Sequence, residues 1–392
     1  MKNKIIKLIP VMMISLLLTG CWDSVEIDRK AFVSTIGIDI GDDIDVRSKM
    51  INSKESTSEK SIENNNTLRV TYGFPDVRNM NAKKGTASEL AITVDGYSMT
   101  DAYFKAIGKS SRTLHFGHSK LLLLSDELFQ YPEILKEIMD YIEREPSLNR
   151  SVTMIIVKGK AKDYAKVKPE MEENIHNYIT SLMGNSSKNG TVAPITLTKY
   201  IDMLKSYDIS MLPVFSLENE KDIELKGMAV IKDFTIKDYL NNNQITDIQI
   251  LRGDIGACRK AINRDGHNID YYLKNVDKSL HIGYENNKLQ LEYVINTEGT
   301  LKGYYTEAER LDSGIIEEIE KQFDESMKKD FEEIINFTSN SLKLDVIDIG
   351  SDIRRFHRGI WSEVENNWPE ALRTAEISIK VNNDIRNIGL SN

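Results

Sequence analysis

The N-terminus constrains this chain most, because it decides where the rest of the chain must fold. A basic start, formed by Lys2, Lys4 and Lys7, precedes an uncharged and mostly apolar run from Leu8 to Leu18. This order is typical of an export signal, and the run is well short of the about 20 residues that cross a bilayer. We therefore predict that residues 1–20 are a signal peptide and that the remainder folds outside the cytoplasm.

The signal ends in Leu18-Thr19-Gly20-Cys21, which has the form of a lipobox. Small side chains before the cysteine let the backbone enter a signal peptidase, and the Cys21 sulfur then carries a diacylglycerol. Two or three acyl chains, at about 0.8 kcal/mol per buried methylene, hold a protein stably on a membrane. An uncleaved helical anchor and an ordinary cleaved signal are the alternatives. We predict Leu18, Thr19 and Gly20 as the recognition residues and Cys21 as the lipidation site.

The net charge limits what the body can bind. The whole chain carries −9, and without the three lysines of the signal peptide the remainder carries −12. Such a body is poorly suited to nucleic acids, whose backbone binds clustered Lys and Arg. It is also weakly repelled by an anionic membrane surface. We therefore predict no nucleic-acid partner and a membrane attachment that depends on the acyl anchor.

Cysteine usage indicates how the body is stabilised. Cys21 and Cys258 are the two cysteines of the chain, which excludes a disulfide framework. Each domain must therefore be stable through its own apolar core. We predict that Cys258 is a small buried residue and not a reactive thiol.

Segments with strand and helix periodicity alternate along the chain. Strands are predicted at 31–40, 68–75, 91–94, 120–124, 151–157, 226–232, 289–296 and 375–381, and helices at 99–109, 128–142, 169–183 and 196–206. This alternation predicts an α/β (α+β) fold of several domains, with mixed sheets each covered by helices. We expect an N-terminal α/β domain at 21–190, a linker or helical connection at 191–222, and a C-terminal α/β region at 223–392 with possible lobes at 223–300 and 301–392.

Three segments stand out by composition. Residues 47–66 are rich in Ser, Lys, Glu and Asn, and they predict a polar insertion without regular structure. Gly184 to Gly190 predicts a flexible loop. Residues 312–343 predict one long helix in the C-terminal region, with an apolar stripe from Ile315 to Ile335. The stripe suits a coiled-coil partner or a sheet of the same chain, and we expect the sheet.

The sequence holds no recognisable catalytic motif. His115 and His118 are three residues apart, but Gly117 favours a turn and no nearby acid or cysteine completes a metal site. We therefore predict a structural role, with an imidazole bonded to a backbone carbonyl. Ser326 and Lys329 have the spacing of a Ser-x-x-Lys nucleophile without its companion motifs, and we predict a solvated helix face. A nucleophile elbow and a phosphate-binding loop are absent from the sequence. We predict no enzyme activity, no cofactor and no metal.

Three groups of residues resemble the Ger(x)C lipoproteins, the C subunits of bacterial spore nutrient germinant receptors. The groups are Gly20-Cys21-Trp22-Asp23-Ser24-Val25-Glu26-Ile27 with Ile36-Gly37-Ile38-Asp39; Leu114-His115-Phe116-Gly117-His118-Ser119-Lys120 with Arg144-Glu145 and Asn149-Arg150; and Asp348-Ile349-Gly350 with Trp361, Trp368 and Ile385-Arg386-Asn387-Ile388-Gly389. Each motif is modest, but their order and spacing span the mature chain. The polar insertion and residues 240–300 depart from the family pattern.

The resemblance implies a non-enzymatic lipoprotein of the cell membrane, on the outer face of the spore inner membrane. It implies assembly with two membrane-embedded partners, the A and B subunits, in a complex that senses nutrients and triggers germination. A solute-binding lipoprotein of a transporter is the alternative function, although the sequence shows no duplicated lobes. A surface-tethered hydrolase is a third, and it needs a set of catalytic groups that the sequence does not display.

The same resemblance suggests where the partners dock. We expect Trp22, Arg355 and Arg358 to contribute to docking. The basic run that holds the two arginines also fits an exposed helix face. Trp361 and Trp368 fit the docking surface or the core.

Overall fold

A computed structural model of the chain describes residues 29–53, 65–76, 89–167, 169, 171–172, 174–188, 190, 192–207, 209–218, 222–303 and 313–388. The first ten strands are β1 (Lys30–Phe32), β2 (Thr35–Ile40), β3 (Leu68–Pro75), β4 (Glu89–Gly96), β5 (Thr113–His115), β6 (Leu121–Ser125), β7 (Thr153–Val157), β8 (Ile209–Glu218), β9 (Asp222–Lys232) and β10 (Thr235–Leu240). The helices among them are α1 (Ile44–Ser53), α2 (Met99–Lys109), α3 (Pro132–Arg144), α4 (Ala161–Tyr164), α5 (Ile175–Lys188) and α6 (Leu197–Tyr207), with a 3₁₀ helix at Asp126–Gln130.

Eight of these strands form one mixed sheet in the order β10-β9-β8-β7-β6-β2-β3-β4. The four central strands β8, β7, β6 and β2 are parallel neighbours, and the two strands at either end pair antiparallel. Strands β1 and β5 form a separate parallel pair. The confirmed fold class therefore has a parallel centre with antiparallel edges.

The central strands are apolar on both faces because helices cover both faces. Every residue of β6 and β7 is buried. On one face they contact α3, whose apolar stripe from Ile134 to Ile142 is buried. On the other face Leu121 and Leu123 belong to a second core with Ile179 of α5. The sheet therefore separates two apolar cores.

The C-terminal region has a four-stranded sheet in the order β11-β12-β13-β14. Its strands are β11 (Cys258–Arg264), β12 (His267–Glu285), β13 (Lys288–Gly303) and β14 (Glu376–Asn387). Its helices are α7 (Asn242–Arg252), α8 (Ser313–Asn336) with a π-helical end at Phe337–Leu342, α9 (Ile349–Phe356), α10 (Arg358–Val364) and α11 (Trp368–Arg373), with a 3₁₀ turn at Glu365–Asn367. The pair β13–β14 is parallel and the other two pairs are antiparallel.

The long helix predicted in this region is confirmed, and it packs on its own sheet. The stripe that includes Phe323, Met327 and Phe331 is buried on α8. The polar flank of the helix also bonds to β14, since an Asp324 carboxylate oxygen accepts from the Asn383 backbone N–H at 2.8 Å. The apolar stripe is therefore accounted for by the sheet.

Two segments predicted as loops are partly helical, so both predictions are wrong in part. A polar insertion without regular structure was predicted at 47–66, but its first residues belong to α1, which continues to Ser53. The helix is held by the buried Ile44 and by an ion pair between Arg47 and Glu137 at 3.3 Å. Residues 54–64 of that insertion lie outside the described residues. The loop predicted from Gly184 is also wrong at its start, since α5 runs to Lys188 with Met183 buried just before.

The large sheet extends further along the chain than the predicted N-terminal domain. Strand β8 lies inside the predicted linker at 191–222, and β9 and β10 lie inside the region predicted to begin at 223. Strand β9 pairs with β8 from Asp222 to Lys232, which adds both strands to the first sheet. The predicted boundary near residue 220 fails because β8 and β9 are consecutive antiparallel partners, so the chain on both sides of it belongs to one sheet.

Candidate docking surface and buried polar clusters

The predicted lipidation site lies outside the described residues. Cys21, its recognition residues Leu18, Thr19 and Gly20, and the predicted docking residue Trp22 all precede Arg29, where the described chain begins. Among the described residues, no helix is long and apolar enough to cross a membrane.

The predicted docking arginines lie on the short helices α9 and α10, and Asp345 holds the start of the first of them. Its carboxylate accepts hydrogen bonds from the backbone N–H groups of Ile349 and Gly350 at 3.0 and 2.7 Å, at the start of α9. Burial raises the pKa of Asp345, and these hydrogen bonds oppose that rise. A Cβ on Gly350 would lie 3.0 Å from the Trp368 ring, so glycine is needed for this close approach. The family motif at residues 348–350 therefore has a structural role, since it starts α9 and lets Trp368 pack closely against it.

Arg355 and Arg358 are exposed and form no ion pair within the described part of the chain. Phe356 between them is 67% exposed, and the Arg355 guanidinium lies 5.7 Å from the centre of its ring. We call Arg355, Phe356 and Arg358 the basic corner. A large apolar ring flanked by unpaired guanidinium groups is a composition that favours protein contacts.

Trp361 and Trp368 are both half-buried beside this corner. Their ring centres are 5.4 Å apart and their planes meet at 51°. Both pack against the main core. They are therefore part of the edge of the core rather than a free docking surface.

His115 and His118 surround an aromatic ring. Phe32 of β1 meets the two imidazoles edge-on, with ring centres 5.6 and 4.7 Å away. Burial and the nearby Lys30 lower the pKa of His115. The rings hold the β1–β5 pair together, which is the structural role predicted for them, although the contact is aromatic.

Cys258 and the Ser-x-x-Lys spacing have the surroundings that their sequence context predicts. Cys258 is buried, and burial raises the pKa of its thiol to about 12. Ser326 is half-buried, whereas Lys329 is exposed and faces Glu333 at 3.7 Å on α8. Neither arrangement activates a nucleophile.

A buried ion cluster joins α7, β11 and α8. The Lys260 ammonium contacts the carboxylates of Asp247 and Asp330, the latter at 3.1 Å. Burial raises the pKa of Asp247 to about 6 even though Lys260 lies against it. Burial alone lowers the pKa of Lys260, but the two carboxylates outweigh it and the pKa rises. This cluster was not predicted from the sequence, where its one signal is a lysine at an inward position of β11.

A second missed cluster lies at the start of β4. The Glu89 carboxylate accepts from the Ser34 hydroxyl and from the Thr35 hydroxyl, the latter at 3.3 Å. The Nδ1 atom of His176 lies 3.9 Å from the Glu89 carboxylate, which is longer than a hydrogen bond. Burial alone raises the pKa of Glu89, but His176 and the hydroxyls outweigh it and the pKa is lowered. This cluster fastens α5 to the sheet.

The chain matches two known protein families, one in each half. Residues 23–217 match the family described as "Spore germination protein N-terminal domain". Residues 226–389 match the family described as "Spore germination B3/ GerAC like, C-terminal". The chain belongs to the Ger(x)C family. It is thus a member of the C-subunit family of spore germination receptors, whose members are non-catalytic.

Individual relatives agree with this assignment over nearly the full length. The Ger(x)C chain is 24% identical to spore germination protein YndF of Bacillus subtilis, covering 99% of both chains. It is 24% identical to spore germination protein A3 of the same organism, covering 98% of both. Spore germination protein KC is 22% identical, over 96% of this chain and 94% of that protein.

A solved structure shares the fold. The crystal structure of the GerBC protein superposes with a TM-score of 0.59 and 16% sequence identity. The match covers 83% of this Ger(x)C chain and 96% of that chain. The mixed sheets with their covering helices are therefore the architecture of both proteins.

The Ger(x)C motif in β2 has a structural explanation. Asp39 accepts from the backbone N–H groups of Ala161 and Lys162, the latter at 3.0 Å, and so caps α4. A Cβ on Gly37 would lie 3.3 Å from the Ala161 Cβ, which lets α4 approach the strand. The motif at residues 36–39 therefore joins a helix to the sheet.

Proposed function

We propose that this chain is the lipid-anchored C subunit of a nutrient germinant receptor and is required for nutrient-triggered germination. The observation that carries the proposal is the pair of spore germination families that together match residues 23–217 and 226–389. The anchor is the acylated Cys21, which places the protein in the membrane, on the outer face of the spore inner membrane. Its partners are the A and B membrane subunits of the receptor.

The architecture argues against the alternative of a solute-binding lipoprotein. Such a protein needs two similar lobes around a ligand cleft. Here the described strands form an eight-stranded sheet with a parallel centre and a four-stranded sheet that is mostly antiparallel. The two halves are therefore not copies of one lobe.

The anchor is tested by Cys21→Ser in a spore former. We expect the parent to partition with membranes and to carry two or three acyl chains by mass spectrometry. We expect the variant to keep residues 1–20 or lose its membrane attachment. A parent protein with a bare thiol that washes off membranes without detergent contradicts the anchor.

The requirement for germination is tested by deleting the gene in the same organism. We expect spores of the deletion strain to lose the response to at least one nutrient and to keep the response to a direct chemical trigger. Complementation with the parent gene restores the nutrient response, and complementation with Cys21→Ser restores little of it. A normal response to every nutrient contradicts the proposal, provided that no paralogue is present in the test strain.

We propose that the basic corner docks on a partner subunit. Tethering on the same membrane raises the effective concentration of the two proteins to about the millimolar range, so a weak contact suffices. The test is Arg355→Glu with Arg358→Glu, scored by co-purification of the A and B subunits from membranes. The matched control is Lys136→Glu with Lys199→Glu, which changes the net charge equally at two exposed positions of the N-terminal region. Equal co-purification of both variants contradicts docking at this corner.

A further inference from the structure

Cations surround a groove where the described chain begins. The groove has a volume of about 310 Å³ and is walled by β1, the ends of β3 and β4 and the turn after α2. Lys30, Lys109 and Arg112 line it. Pairing of β1 with β5 sets Lys30 opposite Thr113 and so beside Arg112. We call this feature, with the three cations that line it, the basic groove.

The three cations are not neutralised by carboxylates of the described chain. None of them makes an ion pair with a described residue, and the Lys109 ammonium reaches only a backbone oxygen, that of Thr93 at 3.5 Å. Asp76, the acid in the wall, is 4% exposed, has an interaction of its own and lies within 4.0 Å of none of the three cationic groups. By contrast, Lys105 one turn earlier on α2 is paired with Asp101 at 2.8 Å. The positive charge of the basic groove is therefore available to an external anion.

The groove also has apolar walls. Phe32 and Phe74 are half-buried in it, and Leu90 is 36% exposed. Cations beside partly exposed apolar side chains suit an interface with polar headgroups outside and acyl chains beneath.

We propose that the basic groove rests on the membrane surface, with anionic phospholipid headgroups as its ligands. This inference depends on the proposed lipidation of Cys21. Residues 21–28 join that cysteine to Arg29, and eight residues span at most about 28 Å when fully extended. The groove is therefore confined within that distance of the acyl chains. The lipid surface offers the opposite charge to the groove, whereas the body as a whole carries −12 and is repelled.

The tether works against this contact. Asp23, Glu26 and Asp28 add three negative charges between the anchor and the groove. For that reason the test uses the whole mature chain from residue 21, so that the measured binding includes both the attraction of the groove cations and the repulsion of the tether carboxylates.

The experiment is vesicle co-sedimentation of the mature chain with Cys21→Ser, which has no acyl chain. Vesicles of phosphatidylcholine alone are compared with vesicles containing one third phosphatidylglycerol. We expect binding to the anionic vesicles, weakened as NaCl is raised because salt screens these charges. Lys30→Gln with Lys109→Gln and Arg112→Gln should weaken the partition coefficient by about fivefold per cation, on the order of 100-fold in all.

The matched control removes three exposed lysines from α8, namely Lys321, Lys328 and Lys329, also by substitution to Gln. We expect the control to bind as the parent does. Equal binding to neutral vesicles, no binding to anionic vesicles, or an equal loss in both triple variants overturns the proposal. The salt dependence of the parent is a second measurement that no substitution can disturb. Because the acyl chain is absent throughout, failure here leaves the lipidation of Cys21 to be judged by its own mass spectrum.

Discussion

Replacing Lys260 by Met tests the buried ion cluster, because Met keeps most of the side-chain volume and removes the ammonium. The side chains of Lys260 and Asp247 are 10% and 7% exposed, whereas that of Asp330 is 41% exposed. The substitution therefore leaves the Asp247 carboxylate buried without a counter-ion. Removing one partner of a buried pair lowers the free energy of unfolding by about 3–5 kcal/mol. Asp330 reaches water and adds little to that loss.

The pH dependence of the loss identifies its cause. In the parent, burial raises the pKa of Asp247 from 3.8 to about 6. Because the folded pKa lies above the unfolded one, the stability contributed by this group is full below pH 3.8 and is lost as the pH rises through about 6. Without Lys260 the folded pKa rises further. We therefore expect the defect of Lys260→Met to be largest near pH 8 and smaller near pH 5.

The assay is thermal unfolding followed by circular dichroism at about pH 8 and about pH 5. A loss of 1 kcal/mol lowers the midpoint by about 2–4 °C for a region of this size, so we expect a fall of roughly 10–15 °C at the higher pH. In the double variant Lys260→Met with Asp247→Leu, the free energy of unfolding should return to within about 1 kcal/mol of the parent value. Lys328→Met, on a 51% exposed lysine, should change stability by less than about 0.5 kcal/mol. Equal losses in the single and double variants, or a loss unchanged by pH, refute the reasoning.

Three further outcomes follow from single residues. Gly350→Ala should lower the free energy of unfolding by about 1–3 kcal/mol because its Cβ meets the Trp368 ring, whereas Gly359→Ala, with nothing within 4 Å, should raise it by about 0.5–1 kcal/mol; urea titration compares the two. The Cys258 thiol, with its pKa raised to about 12, should resist a thiol reagent near pH 8 in the folded Cys21→Ser chain and react in urea, and rapid labelling without urea contradicts its burial. Glu89 has a lowered pKa, so its contribution is present above its unfolded value of 4.5 and is lost as the pH falls below it; Glu89→Gln should remove that pH dependence from acid unfolding curves.

The central strands of the large sheet were predictable because strands buried on both faces are unbroken apolar runs. Strands β6 and β7 have this form, and both were predicted within two residues of their observed bounds. Strand β12 was missed, although its 19 residues make it long. Alternation is present from Ile269 to Leu273 and again from Leu280 to Tyr284, but a register shift between Leu273 and Asn275 interrupts it, so the strand does not show as one periodic run. Its position depends on pairing with β13, which is a tertiary contact.

The clusters were hidden for a related reason. The partners of Lys260 lie 13 and 70 residues away in the chain, so no local spacing joins them. The available signal was the lysine itself, which alternates inward with Cys258 and Ile262 along β11. The basic groove likewise depends on the β1–β5 pairing, which brings Lys30 to Arg112 across more than 80 residues. Sequence periodicity predicts which elements form, and strand pairing decides which charges meet.

The proposed acyl anchor and the proposed membrane contact of the basic groove have different physical roles. Acyl chains at about 0.8 kcal/mol per buried methylene supply attachment, but a flexible tether leaves the body free to turn. Three cations contribute about 1 kcal/mol each near an anionic surface, which gives weak and reversible binding from solution but no stable attachment. For a body already held within about 28 Å of the lipid, the same energy is enough to select one face. We therefore propose that the groove orients a body attached by the anchor, and that a fixed orientation lets the basic corner on α9 and α10 meet a neighbouring subunit in one geometry.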